Sequence, residues 1–297
     1  MKIGISLKLN AYTPEAYAYQ EYLVTRGHSV QLDYEHLLDS DNDINIYFMG
    51  LRPFWKKKNM RAMEVHEYQS LSTPPHATIK DLIKKTINRK PSGRIFLNEK
   101  VQNTLNFQDR IPSIQRDMGV DEALYQKKSD NPIYDIVYCG SIAGREGLVE
   151  TIVQLAKLDL KILIIGAVTS SIIEVFEPYK KNIILQGRVE RSELAMLYRD
   201  CRFGLNYTPD IYPFNIQTST KTLEYLASGL NIISNKYQWI EVFSLNHSYQ
   251  PIWLDSITSK NDLFSDTYGE VKVDMNSYKW SNILEQSNFE NFLLKMV

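Results

Sequence analysis

The sequence predicts an α/β protein built as two Rossmann-like domains, and three observations carry that expectation. From Ile136 onward, apolar runs begin near Ile136, Lys161, Ile183, Arg202 and Asn231, at steps of 19 to 29 residues. Each step is the length of a strand–helix unit with short loops. Runs such as Lys161-Ile-Leu-Ile-Ile-Gly are apolar almost throughout, as in parallel strands covered on both faces. The first fifty residues read as strand, helix, strand, strand, the start of an open α/β sheet, and 297 residues suffice for two cores.

Lys2 to Leu7 is the first strand, Pro14 to Arg26 a helix stopped by Gly27, Ser29 to Leu32 the second strand, and Ile44 to Phe48 the third, ended by Gly50. Ala77 to Arg89 places Ile79, Leu82, Ile83 and Ile87 on one helical face, with Lys80, Lys84, Lys85 and Arg89 on or beside the other. A basic amphipathic helix of this kind can rest on an anionic membrane; the ordinary alternative, which we favour from pattern alone, is a domain helix with a solvated basic side. Arg94 to Leu97 follows as a strand and Asn98 to Leu105 as a helix. The polar Lys127–Pro132 segment marks a domain boundary, giving domains 1–129 and 130–275 and a C-terminal helix, 276–297. In the second domain the helices fit at 146–157, 170–176, 191–200 and 219–228.

Hydrophobic residues make up 43% of the chain and charged residues 23%, a globular balance. The net charge of -1 leaves no nucleic-acid footprint. Residues 1–128 carry 19 Lys+Arg against 15 Asp+Glu, and residues 129–297 carry 15 against 20, so the first part is basic (+4) and the second acidic (-5). A basic first half fits an anionic acceptor or a membrane surface. Cys139 and Cys201 are the only cysteines, far apart and without metal or redox spacing, which fits reduced thiols in a cytoplasmic protein. The N-terminus reads as a strand, not a signal peptide, and no run has transmembrane length. No Asp-x-Asp or His/Asp/Glu cluster has metal-ligand spacing, so no essential metal and no cofactor is expected.

The stretch Phe214 to Asn235 is the most informative. Thr218, Ser219 and Thr220 are N-cap residues, Lys221 to Ser228 is helical with Leu223, Leu226 and Ala227 on one face, Gly229 is the stop, and Leu230 to Ile233 is a strand. Such a helix start offers free N–H groups and a positive dipole end to a phosphate. Lys221 adds a cation, and Glu224, one turn on, can face a diol. Phosphates and a sugar diol together describe a nucleotide.

Thr220-Lys-Thr-Leu-Glu-Tyr-Leu-Ala-Ser-Gly-Leu-Asn-Ile-Ile resembles the donor-site signature of GT-B glycosyltransferases, in particular the retaining enzymes of glycosyltransferase family 4, over roughly Ile136 to Ile233. The resemblance implies the GT-B fold, two Rossmann-like domains facing each other across a cleft. It implies that Glu224 binds the donor ribose and that the backbone amides of Ser219 and Thr220 bind its diphosphate. In Cys139-Gly-Ser-Ile-Ala-Gly-Arg-Glu-Gly, Gly140 and Ser141 stand at the phosphate loop. If the glycines align, Ser141 and Glu146 stand at the family's Arg and Lys; either Arg145 and Lys221 replace that clamp, the reading we favour, or donor affinity is poor. Arg188 and Val189, or Glu190, stand where the family meets the base, and Tyr207 and Asp210 lie in the loop that lines the sugar pocket. Ile216 falls where the family has the first glutamate of its Glu-x7-Glu pattern. His66 in Val65-His66-Glu67 matches the histidine that contacts the transferred sugar; a surface or core histidine is the plain alternative. Lys8-Leu-Asn-Ala-Tyr-Thr lacks the family's acceptor-side glycines. Trp280 and the last helix match the segment that crosses back to the first domain.

Function is then expected to be transfer of a sugar from a nucleotide-diphosphate donor to a saccharide or lipid-linked saccharide acceptor, in bacterial surface polysaccharide synthesis. The enzyme would be metal-independent and retaining, and cytoplasmic or peripheral at the inner membrane through the basic helix 77–89. Two alternatives stand beside it: a catalytically degenerate partner subunit, and a GT-B-fold epimerase, for which no carboxylate pair is convincingly placed.

Overall fold

The computed structural model describes residues 1–8, 13–56, 61–73, 75–264 and 273–297. Most of the Lys8–Thr13 loop, and two lysines of the run at 56–58, lie outside the described residues. The chain forms two compact units, Met1–Gly119 with Ser277–Val297, and Val120–Asn276.

The first unit runs β1 (Lys2–Leu7), α1 (Pro14–Thr25), β2 (Ser29–Tyr34), β3 (Ile44–Phe48), β4 (Met63–Tyr68), α2 (Ala77–Ile87), β5 (Gly93–Phe96), α3 (Glu99–Leu105) and β6 (Ser113–Gln115). The strands form one sheet in the order β2-β1-β3-β4-β5-β6, every pair parallel. Ile3, Ile5, Ile44, Ile46 and Val65 are fully buried at its centre. Pro14 occupies the first turn of α1, where its missing N–H costs nothing, and Asn98 caps α3 by accepting from the Val101 N–H. The core also holds an ion pair, Glu67 with Arg116, both without exposed side-chain surface, and the Arg116 Nε donates to the Tyr19 hydroxyl.

The second unit runs β7 (Tyr134–Cys139), α4 (Leu148–Lys157), β8 (Ile162–Ile165), α5 (Ser170–Phe176), β9 (Ile183–Gly187), α6 (Arg191–Arg199), β10 (Cys201–Asn206), α7 (Thr220–Ala227), β11 (Asn231–Ser234), α8 (Gln238–His247) and β12 (Ile252–Trp253). Its sheet, again parallel, has the order β12-β11-β10-β7-β8-β9. Each strand expected here forms. The apolar run Ile162–Ile165 is buried along its whole length, as a strand covered on both faces must be.

Three features differ from the sequence expectation. The second unit starts at Val120, ahead of the polar 127–132 segment. Residues 120–128 are tied into it by bonds that composition does not reveal: Ser228 Oγ donates to the Leu124 carbonyl, Tyr125 donates to the Met275 carbonyl, and Arg191 pairs with Asp121. The C-terminal segment is two short helices, α9 (Trp280–Gln286) and α10 (Phe289–Leu294), because Asn288 takes a left-handed conformation with φ 52°. They pack in the first unit, where the Phe289 ring lies 4.4 Å from that of Tyr19. Finally, α2 does not bury its apolar face. Asp81 is its buried residue, accepting from the Ser72 N–H at 3.1 Å and lying 3.5 Å from Lys84, while Ile79, Leu82 and Ile83 are exposed. The basic side of α2 is solvated, as the favoured reading has it, with Lys80 exposed and Lys84, Lys85 and Arg89 half-buried; what differs is that the apolar stripe faces outward as well.

Candidate functional site

In an open α/β sheet, ligands bind beyond the carboxyl ends of the strands where the strand order reverses. In the second unit that switch lies between β7 and β10. The residues there are Cys139, Gly140 and the turn to Gly147 on one side, and Asn206, Tyr207 and the start of α7 on the other.

Gly140 has φ +133°, and a Cβ at this position would meet the Lys221 Cε at 2.9 Å. Only glycine accepts that backbone and leaves room for the lysine stem. The end of β7 is pinned by its own amides: the Cys139 N–H donates to the Tyr225 hydroxyl at 2.8 Å and the Gly140 N–H to the Ile165 carbonyl at 2.8 Å. The following turn is closed by Arg145. Its Nε donates to the Ser141 carbonyl and its Nη1 to the Tyr207 carbonyl, each at 3.2 Å. Tyr207 returns a bond to the Glu146 carbonyl at 3.0 Å. Arg145 thus bridges the two loops of the switch point, and keeps guanidinium donors beyond the two used here.

Across from this turn, Ser219 caps α7. Its Oγ accepts from the Thr222 N–H at 3.3 Å and donates to Asn206 Oδ1 at 2.9 Å. Asn206 is buried, and its amide donates to Ser234 Oγ and to the Tyr237 hydroxyl. The cap is therefore fixed to the ends of two strands. The Ser219 hydroxyl is spent inside the protein, so what α7 offers a ligand is its first backbone N–H groups, which have no partner within a helix.

Lys221 and Glu224 are both half-buried on the first turns of α7. The Lys221 Nζ lies 5.6 Å from the Tyr138 ring centroid. Burial, reinforced by the neighbouring Arg145 charge, pushes the Lys221 ammonium down to about 8. Burial pushes the Glu224 carboxyl up to about 7, against the pull of Lys221 and Arg191. The Tyr198 hydroxyl lies 3.5 Å from Glu224 Oε2. Two neighbouring cations near a helix N-terminus, neither in a salt bridge among the described residues, suit a multiply charged anion. A poised carboxylate one turn away can accept from hydroxyls.

Gly140, Ser141, Arg145, Ser219, Thr220, Lys221 and Glu224 therefore converge. Arg188 and Val189 lie at the end of β9, two strands from β7, about 10 Å away by strand spacing. Arg188 is exposed and Val189 half-buried. Glu190 is committed to a reciprocal cap with Glu193 at the start of α6. His66 belongs to the first unit, in the middle of β4, with no exposed surface. Its ring is 3.5 Å from the Glu64 carboxylate, neither ring nitrogen has a hydrogen-bond partner among the described residues, and burial lowers its basicity. Asn206, Tyr198, Tyr225 and Tyr237 are the residues that sequence reasoning missed. Tyr225 stands inside the motif and the other three outside it, and each supports the site through a tertiary bond for which sequence spacing gives no signal.

Among the described residues no group of three His, Cys, Asp or Glu side chains could hold a metal ion. Both cysteines are free thiols.

No family model matches the sequence, and no curated protein matches it either. Solved structures do resemble the chain. A glycosyltransferase involved in avilamycin A biosynthesis, AviGT4, superimposes with a TM-score of 0.64 at 11% identity, covering 99% of this chain and 98% of its own. Sucrose-phosphate synthase from Thermosynechococcus elongatus gives 0.63 at 12%, covering 99% and 97%. HepE from Anabaena, in complex with UDP and glucose, gives 0.61 at 11%, covering 100% and 97%. Two parallel six-stranded sheets with interleaved helices, matched from end to end by these glycosyltransferases, give the chain the GT-B fold.

Proposed function

We propose that this protein is a glycosyltransferase that moves a sugar from a nucleoside-diphosphate donor to a saccharide or lipid-linked saccharide acceptor in bacterial surface polysaccharide synthesis. One observation carries the reading. The start of α7, with Lys221 and Arg145 as neighbouring cations and Glu224 one turn on, stands at the switch point of the second sheet. The diphosphate would sit on the α7 amides and the two cations, with Gly140 and Ser141 allowing close approach. The ribose hydroxyls would donate to Glu224. The base would lie toward Arg188 and Val189.

As the glycosidic bond breaks, negative charge builds on the leaving diphosphate. Fixed donors aimed at it lower the barrier without a metal. Retention of anomeric configuration is what the resemblance implies, and no protein base is then needed on the acceptor hydroxyl. HepE binds UDP and glucose, so UDP-sugars are the first donors to try. A lipid-linked acceptor would bring a cytoplasmic enzyme to the inner membrane, with α2 the contact we favour. His66 is not among the contacts on which the proposal rests.

A second reading, a nucleotide-binding partner subunit without turnover, draws on the Arg145 bonds, which commit part of the guanidinium to backbone carbonyls. Calorimetry with UDP and GDP, followed by assays of donor hydrolysis and transfer, tests both. Glu224→Ala should weaken donor binding at least tenfold, since a hydrogen bond to a charged group is worth about 1.5–3 kcal/mol. Unchanged affinity would remove the site. Binding without hydrolysis or transfer would favour the partner subunit.

A further inference from the structure

The outward stripe of α2 is not isolated. The segment before it, 51–55, runs beside the helix end: the Phe54 N–H donates to the Ile87 carbonyl at 3.0 Å, Pro53 bridges Asn88, and the Arg89 N–H donates to the Arg52 carbonyl at 3.0 Å. That segment displays Phe54 and Trp55, 64% and 65% exposed, as an edge-to-face pair with centroids 4.9 Å apart. Ile79 and Leu82 on α2 are 55% and 58% exposed. Large side chains this open cost solvation free energy, and a cluster of them marks a contact surface.

The charges around the cluster select its occupant. Lys80 and Lys90 are exposed, and Lys84, Lys85 and Arg89 half-buried. The nearby carboxylates are already engaged: Asp81 is buried at Ser72 and Lys84, and Glu35 pairs with Arg52 and Lys56. An apolar patch with an aromatic pair and a basic rim matches the boundary of an anionic lipid bilayer, where aromatic rings settle at headgroup level and each cation adds attraction. No described helix is long and apolar enough to cross a membrane, so this contact lies on the bilayer.

We infer that Phe54, Trp55 and the Ile79–Leu82–Ile83 stripe form one anchor that inserts into the surface of an anionic membrane, with the lysines of α2 over the headgroups. The lipid-side acceptor proposed above gives the anchor its setting, but its chemistry stands without that reading.

Flotation with vesicles of phosphatidylcholine alone, and of phosphatidylcholine mixed with phosphatidylglycerol, tests it. Wild type should float with the mixed vesicles and much less with the neutral ones, and added salt should weaken it. Phe54→Ser with Trp55→Ser should lower the partition coefficient about a hundredfold, from the loss of two buried apolar side chains. Leu82→Ser with Ile83→Ser should act alike. Because these side chains are exposed, melting temperature and donor binding should not move. Retained donor binding keeps this result separate from the transferase reading. As a second measurement, lipids brominated near the headgroup should quench Trp55 fluorescence, and Trp55→Phe should remove that quenching while keeping flotation. Absence of flotation, equal flotation with both vesicles, or concentration-dependent self-association abolished by the same variants would overturn the inference; the last would make the face an interface between copies of the chain.

Discussion

The sharpest consequence of the site concerns protons. Burial, with the neighbouring Arg145 charge, pushes the Lys221 ammonium down to about 8 from an ordinary 10.5. A diphosphate placed against it would reverse the cause, since an opposite charge restores the charged form. Binding at pH 8 should then take up about half a proton at this residue. Each unit of pKa recovered is worth 1.36 kcal/mol. Full recovery would couple about 3 kcal/mol to binding, and solvent access to the half-buried side chain reduces that to about 1–2 kcal/mol, or roughly tenfold in affinity. Donor affinity should therefore fall as pH rises through 8. Calorimetry at pH 8 in buffers of different ionisation enthalpy measures the proton uptake directly. Lys221→Arg, which stays charged throughout, should lose the uptake and flatten the alkaline fall. A binding enthalpy independent of buffer, or an alkaline fall unchanged in Lys221→Arg, would show that Lys221 does not meet the phosphate.

Glu224 sets a second, opposite linkage. Its folded pKa is raised to about 7 from 4.5, chiefly by burial, so its contribution to stability is complete below 4.5 and lost as pH rises through 7. Glu224→Gln should thus stabilise the empty protein at pH 8 by about 1–2 kcal/mol, read as a higher melting temperature, while weakening donor binding; an unchanged or lower melting temperature would refute the burial argument. Gly140→Ala should weaken donor binding, because φ +133° strains any residue with a Cβ and the Lys221 side-chain end must shift to admit it; a titration with wild-type affinity would count against that geometry. Asn206→Leu should cost about 1–3 kcal/mol in urea unfolding through the lost bonds to the Ser219, Ser234 and Tyr237 hydroxyls, and should weaken donor binding more than Ser234→Ala does. In the first unit, Glu64 is held near 2 although its burial alone would raise it, because His66 and Arg52 favour its charge. Glu64→Ala removes one of the two carboxylates paired with Arg52, Glu35 being the other, and should cost about 1–3 kcal/mol of unfolding free energy in denaturant titrations; an unchanged unfolding free energy would contradict the buried pair.

The periodic parts of the fold were legible because their information is local. The strands at Ile136, Ile183 and Asn231 announce themselves by apolar runs and the turns that bound them, and Ser219 and Gly229 punctuate α7 by backbone chemistry that acts within a few residues. Strand order was not legible, since nothing in β7 or β10 states that they are neighbours; that follows from crossover geometry over the whole domain. The convergent residues of the second unit were named from two motifs, the turn at 139–147 and the stretch at 214–235, yet what holds them in place was invisible. Asn206 is an ordinary polar residue at a strand end until Ser219, Ser234 and Tyr237 are seen around it.

The case of α2 shows where periodicity stops. A hydrophobic stripe at helical spacing fixes that a helix has two faces, not which of them meets the core. The deciding residue was Asp81, which the pattern counts as polar and therefore assigns to solvent. A carboxylate that reaches a backbone N–H and a lysine can be buried at little cost, and at Asp81 both partners are supplied by Ser72 and Lys84. Once the charge goes inward, Ile79 and Ile83 go outward, since each lies two positions, about 200°, around the helix from Asp81. At α7 the stripe does go inward, with Leu223, Leu226 and Ala227 buried, while Lys221 and Glu224 are half-buried. At α2 the buried group is a titratable side chain, and it is the apolar stripe that is left for a ligand.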